Sequence, residues 1–95
     1  MDLAEFERTL AADAPPAGLS PALLGCWHAL RGAWERAHDA VQPDGPECAW
    51  VHAALHREEG DLPNARYWYR LAGRPEASGD PAAEYRAIAA ELLGG

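Results

Sequence analysis

The sequence of residues 23–41 is similar to that of residues 51–69, and the two segments align so that Gly32 matches Gly60. When LLGCWHALRGAWERAHDAV is placed over VHAALHREEGDLPNARYWY, small residues fall on small ones, large apolar residues on large apolar ones, and glycine on glycine. The matched pairs are Leu23 with Val51, Gly25 with Ala53, Trp27 with Leu55, His28 with His56, Trp34 with Leu62, Ala37 with Ala65 and Val41 with Tyr69. We therefore predict two helical hairpins, at about residues 20–42 and 46–73.

Helix is favoured along almost the whole sequence. Alanine and leucine are abundant, β-branched residues are scarce, and apolar residues recur at intervals of three and four. The segments DAPPAG, QPDGPE and GRPEASG interrupt this pattern with proline and glycine, which end helices. A chain of 95 residues has room for one modest core. We predict a single all-α domain over residues 1–95 with five or six short helices, of which those at about residues 2–12 and 80–93 flank and cap the two hairpins.

Several helix ends are marked by single residues. Ser20, Asp61 and Asp80 each precede a helical segment with proline in its first turn. Side chains of these types accept hydrogen bonds from the first amides of a helix, and proline is tolerated there because those amides have no partner within the helix. Gly32 and Gly60 follow periodic segments and can adopt the left-handed conformation that ends many helices. We expect capped starts at the first three positions and glycine ends at the other two.

The chain is acidic, with 8 basic and 15 acidic residues and a net charge of −7. Nucleic-acid binders and proteins that attach to anionic membranes need a positive field, so this balance argues against both kinds of partner. The segment RYWYR interleaves aromatic residues with arginine, as single-strand binders do. Helical spacing nevertheless places Trp68 and Tyr69 on a core-facing side. We expect no nucleic-acid partner and no membrane partner.

Two features point to the cytoplasm. The N-terminal segment MDLAEFERTL lacks the basic and apolar regions of a secretory signal, and no stretch approaches the roughly 18–20 apolar residues of a membrane-spanning helix. Cys26 and Cys48 form no CxxC pattern, so we interpret both as free thiols in a reducing compartment.

Every basic residue is arginine, which excludes lysine-based catalysis.

The repeat resembles the tetratricopeptide pattern. The residues that carry the resemblance are Leu24, Gly25, Gly32, Trp34 and Ala37 in the first copy and Ala53, Gly60, Leu62, Ala65, Tyr69 and Ala72 in the second. The segment ARYWYRLAG is also similar to the end of Sel1-type repeats, and WVHAALHREEGDLPNARYWYRLAGR looks like the signature of a group of short uncharacterised bacterial proteins. The tetratricopeptide resemblance implies that the first helix of each hairpin lines a concave groove, which in such proteins binds peptides.

The groove implied by this resemblance would be lined by Cys26, Leu30, Trp50, Ala54, Arg57 and Glu58. Trp50 is the most informative of these residues, because it lies about 100° around the helix from Val51, where a large aromatic needs another helix or a ligand. Packing against the first or last helix of the chain is the alternative. We expect a small interaction module that binds a peptide, a partner protein or a second copy of itself as a homodimer, with no cofactor.

A second hypothesis comes from the histidines. Cys48, His52 and His56 lie at intervals of four residues, and therefore along one helix face. Thiolate and imidazole are zinc ligands, and His28, which the repeat aligns with His56, could supply a fourth. Alternatively, the histidines are structural and bond to backbone or carboxylate groups. The second functional hypothesis is thus a protein that binds a metal such as zinc, or a small molecule, through these residues.

Enzymatic activity is the less favoured possibility. A cysteine beside a histidine could act as a nucleophile, and the carboxylates after His56 could raise the pKa of an imidazole. No motif in the sequence supplies an oxyanion hole or an HExxH metal site.

Overall fold

The computed structural model describes residues 1–94, and that range contains six α-helices and no β-strand. The helices are α1 (Leu3–Thr9), α2 (Pro21–Leu30), α3 (Trp34–Ala40), α4 (Pro46–Glu59), α5 (Leu62–Ala72) and α6 (Pro81–Leu92). The prediction of an all-α chain with five or six short helices is confirmed. None of the helices in the described range is long and apolar enough to cross a membrane.

The expected helix ends are present. The Ser20 hydroxyl accepts a hydrogen bond from the Leu23 amide at 3.2 Å, and the Asp61 carboxylate accepts one from the Asn64 amide at 3.4 Å. Gly60 ends α4 in the left-handed conformation, with φ at 91°. These local signals set where α2 and α5 begin and where α4 ends.

Close approach of α2 to its neighbours depends on Gly25. A Cβ atom at this position would lie 2.5 Å from Cγ1 of Val41 and 3.1 Å from Cγ1 of Val51, and both valines are fully buried. The glycine therefore lets α2 contact the end of α3 and the middle of α4 at the same time. Helices α2 and α3 pack as one hairpin, α4 and α5 pack as another, and α3 also contacts α4.

Helix α6 lies across the first helices of both hairpins. It packs on α2 and α4, and its residues Tyr85, Ile88 and Ala89 are almost completely buried in the main apolar core. The sequence led us to expect that the flanking helices cap the ends of the stack. Instead, the large apolar side chains of α6 fit over small residues of α2 and α4, such as Cys26 and Ala54, which belong to the same core.

Candidate metal centre

Three histidines from two helices converge on one point. His52 and His56 lie one turn apart on α4, and His38 reaches them from α3. One ring nitrogen from each residue can be chosen so that all three lie within 4.8 Å of one another. His52 and His56 are buried and His38 is half-buried, so the cluster lies just beneath the surface.

The closest pair within this histidine cluster is His38 and His52, whose Nε2 atoms are 3.2 Å apart. That distance suits a shared hydrogen between a donor nitrogen and an acceptor nitrogen. It also suits an ion, because two nitrogens bound at 2.0–2.1 Å to one tetrahedral zinc lie about 3.3 Å apart. The spacing of the two nitrogens is therefore compatible with a hydrogen bond and with a shared ion.

The third histidine is oriented by a carboxylate. Nδ1 of His56 lies 2.6 Å from Oε2 of Glu59, and since a carboxylate oxygen accepts, Nδ1 is the donor. This bond leaves Nε2 of His56 with a free lone pair. A carboxylate behind a histidine is a common second-layer device in metal sites, where it fixes the ring and strengthens it as a ligand. Asp61 lies on the same side as Glu59, and both carboxylates are exposed.

Two tryptophans hold the rings of the cluster from outside. Trp34 stacks on His38 with the ring centroids 5.0 Å apart and the planes at 9°, and Trp68 stacks on His52 at 4.0 Å and 9°. Trp34 is itself fixed because its indole N–H donates to the carbonyl of Leu55 at 2.8 Å. The rings are therefore held by packing as well as by hydrogen bonds, which lowers the conformational entropy lost when a ligand binds.

A glutamine completes the support of His38. The side-chain amide of Gln42 donates to the backbone carbonyl of His38 at 2.8 Å, and its nitrogen also lies 3.5 Å from Nδ1 of the same residue. Both contacts join residues one helical turn apart and fix the C-terminal end of α3. The Nε2 atom of His38 is thus directed toward α4, where it meets His52.

Burial keeps His52 uncharged. Desolvation by burial, followed by the neighbouring His38 and His56, lowers the pKa of His52 to about 4. At neutral pH the ring therefore has a lone pair, which a metal ligand requires. Its Nδ1 atom is buried and has no hydrogen-bond partner within residues 1–94. An unsatisfied buried group of this kind costs about 1–3 kcal/mol, and such a cost in a native structure calls for an explanation.

Two of the four sequence-predicted metal ligands lie in this cluster and two do not. His52 and His56 are members. His28 lies on α2 with its ring against the edge of Trp27, at 5.2 Å between centroids, and it belongs to neither potential ligand group in the described chain. Residues related by a repeat are displaced by one unit, so the alignment of His28 with His56 does not bring them together.

Cys48 is likewise outside the cluster. Each interval of four residues advances about 40° beyond a full helical turn, so a line of three such residues drifts around the helix. Cys48 consequently lies on the side that faces the apolar core, where burial and then the charge of Glu47 raise its pKa. Cys26 and Cys48 are both free thiols, as predicted, and both are buried.

The residue that the sequence analysis missed is His38. The repeat aligns it with Arg66, so the comparison of the two copies gives no sign of a ligand there. The signal that could have found it is its position one turn after Trp34 on α3, the helix that directly precedes α4 in the chain.

The residues predicted to line a peptide groove are largely covered. Cys26 and Ala54 are buried in the core beneath α6, and Leu30 is partly buried against it. Arg57 and Glu58 bond to α6 instead: Nε of Arg57 donates to Glu84 at 2.9 Å, and Glu58 accepts from the Tyr85 hydroxyl at 2.7 Å. These residues therefore have structural partners within the chain.

Trp50 retains an open side. The Arg74 guanidinium lies 3.9 Å from the centroid of its ring, and the ring is partly buried. Trp50 also lines a cavity of about 390 Å³ between α4, α6 and the segment that connects α5 to α6. Of the six predicted binding residues, Trp50 is the one that the structure places at a cavity.

The comparisons of this chain with known proteins give no match. No family model, no curated protein and no solved structure is detectably similar to it. The resemblance to tetratricopeptide and Sel1-type repeats therefore stays a prediction from the sequence, and a function has to be proposed from the chemistry of the residues themselves.

Proposed function

We propose that this protein binds a single transition-metal ion of the zinc type through His38, His52 and His56. The observation that carries the proposal is the convergence of three ring nitrogens within 4.8 Å, with one pair at 3.2 Å. Two ligands come from one helix and the third from its neighbour. Bound metal would thereby join α3 of the first hairpin to α4 of the second.

The donor set selects the kind of metal. Imidazole suits zinc, copper, nickel and iron, whereas calcium and magnesium require oxygen ligands. His52 is neutral at physiological pH, and His56 has a carboxylate behind it, so both are prepared as ligands. A net charge of −7 also favours the approach of a divalent cation.

Isothermal titration calorimetry tests this proposal directly. Zinc added to chelator-treated protein should bind with a stoichiometry of one, and the His38→Ala variant should lose most of the affinity. His28→Ala is the matched control, because His28 is also half-buried but lies outside the cluster. Absence of stoichiometric binding, or equal affinity in the His38→Ala variant, would refute the proposal.

A second candidate function is the interaction module, and the cavity at Trp50 is the observation that favours it. The cavity has an aromatic wall with a cation above it and is large enough for one or two side chains of a partner. We propose that a segment of another protein, or of a second copy of this chain, inserts there.

Self-association through Trp50 is measured by sedimentation equilibrium over a range of concentrations. A dimer that the Trp50→Ala variant abolishes would support the module with a second copy as the partner. A monomer at all concentrations would exclude the homodimer. The experiment should be run with chelator and with zinc, because a metal-dependent dimer would place the contact at the histidines instead.

A further inference from the structure

Three arginines of this acidic chain lie together beside α5. Arg66 and Arg70 are one helical turn apart and exposed, and Arg74 directly follows the glycine that ends the helix. Together with Tyr69 and Glu76 they line a depression of about 190 Å³. Three of the lining residues are therefore positive and one is negative, whereas the chain as a whole carries a net charge of −7. The depression is a local exception to an acidic molecule.

Structural roles account for these arginines only in part. Nε of Arg66 lies 3.3 Å from Oε2 of Glu76, but both side chains are nearly half exposed, and such surface pairs contribute little to stability. Arg70 belongs to no ion pair within residues 1–94. The helix dipole favours a cation in the last turn of α5, but positive charges one turn apart on a helix repel each other. An anion between the two arginines would offset that repulsion.

Arg74 is held at the edge of the depression from two sides. Its guanidinium lies 3.9 Å from the centroid of the Trp50 ring, and it bonds to the Glu91 carboxylate of α6. The bond to Glu91 offsets much of the charge of Arg74. The charge that remains for a ligand therefore comes from Arg70, and from Arg66 once the exposed Glu76 turns away from it.

The chemistry of the lining selects an oxyanion. A guanidinium is planar and always charged, and its paired N–H donors match the oxygens of phosphate and carboxylate groups. Arg66 and Arg70 together match the charge of a dianion, and a phosphate monoester carries nearly two charges and three acceptor oxygens. Pockets for drug-sized ligands measure about 300–1,000 Å³, so this smaller depression suits a group of a few atoms. The net charge of the whole chain opposes a polyanion such as nucleic acid.

We propose that Arg66, Arg70 and Arg74 bind a single phosphate group in the depression beside α5. The group is either a free phosphate or a phosphorylated side chain of a partner protein, and both have the same chemistry. Arg66 and Arg70 donate to its oxygens, Arg74 limits one edge, and Glu76 competes with the ligand for Arg66. This site does not depend on the histidine cluster, which lies on α3 and α4.

An NMR titration tests the proposal. Inorganic phosphate is added to ¹⁵N-labelled protein in a low-salt buffer that contains chelator, and sodium chloride is added to a second sample to the same ionic strength. We expect saturable shifts, with phosphate alone, of the amide signals of residues 66–76 and of the side-chain Nε–H signals of Arg66 and Arg70. Shifts that do not saturate, or that sodium chloride reproduces, would overturn the proposal.

Matched variants separate a specific site from a general effect of charge. Arg70→Gln should weaken phosphate binding about tenfold, because it removes a charged hydrogen-bond donor. Arg36→Gln removes the same charge from another exposed arginine, on α3, and should leave the affinity unchanged. Glu76→Gln should strengthen binding because it frees Arg66, a gain that unfolding cannot produce, whereas Glu35→Gln should not. Equal affinities in the two arginine variants, or no gain in Glu76→Gln, would contradict the site.

A short peptide distinguishes the two sources of the phosphate group. A phosphoserine flanked by leucines, with both termini blocked, is titrated under the same conditions, with the serine peptide as its control. Tighter binding of the phosphopeptide than of inorganic phosphate supports a phosphorylated partner, and equal binding supports the free anion. Binding of the serine peptide at the same residues, or of neither phosphate compound, would refute recognition of a phosphate group.

Discussion

The Nε2 atoms of His38 and His52 lie 3.2 Å apart although the two residues belong to different hairpins. His38 comes from the second helix of the first hairpin, and His52 comes from the first helix of the next. The cluster that they form with His56 therefore bridges the boundary between the two sequence copies. A ligand bound to these histidines would therefore contact both hairpins and stabilise the packing of one against the other.

Zinc should raise the melting temperature of chelator-treated protein. An ion that binds only the folded state stabilises it by about 2.7 kcal/mol at a free concentration one hundred times its dissociation constant. For a chain of 95 residues this corresponds to a shift of about 10 °C or more. The shift should vanish in the His52→Ala variant and persist in His28→Ala, as measured by circular dichroism. Identical shifts in both variants would show that zinc acts elsewhere.

Removal of the carboxylate behind His56 should weaken metal binding without abolishing it. Loss of a second-layer partner commonly reduces affinity by about 10–100-fold. We therefore expect this reduction for Glu59→Ala, measured by competition with a chromophoric chelator. Glu35→Ala is the control, since Glu35 is an exposed glutamate near the start of α3. An affinity unchanged by Glu59→Ala would mean that the bond to Nδ1 has no role in ligand orientation.

Acid should destabilise the metal-free protein through His52. The pKa of His52 is about 4 in the folded state against an ordinary value of 6.5, so the unfolded chain binds the proton more readily. The stabilisation that the folded state has while His52 is uncharged is complete above about pH 6.5 and is lost as the pH falls toward 4. Its loss should lower the free energy of unfolding by about 3 kcal/mol in total.

Urea denaturation at several pH values in the presence of chelator measures this contribution. The His52→Gln variant serves as the comparison, because the remaining carboxylates titrate equally in both proteins. The free energy of unfolding should fall less steeply in the variant between pH 6.5 and 4. Parallel curves for the two proteins would contradict an uncharged His52 in the folded state.

Substitution of Gly25 should destabilise the fold even though alanine is the better helix former. In an open helix interior the change from glycine to alanine gains up to about 1 kcal/mol. Here the new Cβ atom would meet Val41 at 2.5 Å, and overpacking of this kind costs about 1–3 kcal/mol. We expect a lower urea midpoint for Gly25→Ala.

The Val41→Ala variant makes this test specific. It removes the methyl group that an alanine at position 25 would meet. The double variant should therefore lose less stability than the sum of the losses in Gly25→Ala and Val41→Ala. Simple additivity would show that the contact between Gly25 and Val41 does not limit the approach of α2 to α3.

Glu84 should be among the most sensitive residues of the core. Its carboxylate is buried, accepts from the Arg57 guanidinium at 2.9 Å and accepts from the Tyr69 hydroxyl at 2.5 Å. Glu84→Leu would leave the half-buried Arg57 guanidinium without its carboxylate and with only the Gly79 carbonyl as acceptor, and the loss of one partner of a fully buried ion pair costs about 3–5 kcal/mol, so we expect a cost toward the lower end of that range. Tyr69→Phe removes one hydrogen bond and should cost only about 1 kcal/mol. Equal unfolding free energies for Glu84→Leu and the original protein would contradict a structural role for the pair.

The sequence was most informative where the physical cause is local. Ser20 and Asp61 cap helices, and Gly60 ends one, because each acts on backbone groups within one turn of itself. Such signals are readable without any knowledge of tertiary structure, and they located helix ends, whereas the all-α class followed from the composition and from the spacing of the apolar residues.

Long-range features could not be obtained in the same way. The apolar stripe of α6 shows that Tyr85 and Ile88 are buried, but it does not show which helices they cover. Likewise, the spacing of His52 and His56 indicates a shared face, but their partner His38 depends on how α3 packs beside α4. Two of the three members of the candidate metal centre are therefore indicated by the pattern along α4, and the third also requires the packing of α3 beside α4.

The position of α6 also determines how the chain can fold. In an open array of repeats each unit contacts only its neighbours, and units can form one after another. Here residues of α6 pack on α2, and the two helices are separated in sequence by two complete helices of the second hairpin and by α3. Without residues 81–92, the faces of α2 and α4 that contact α6 would lose their cover, so we expect the two hairpins and α6 to fold together as one cooperative unit.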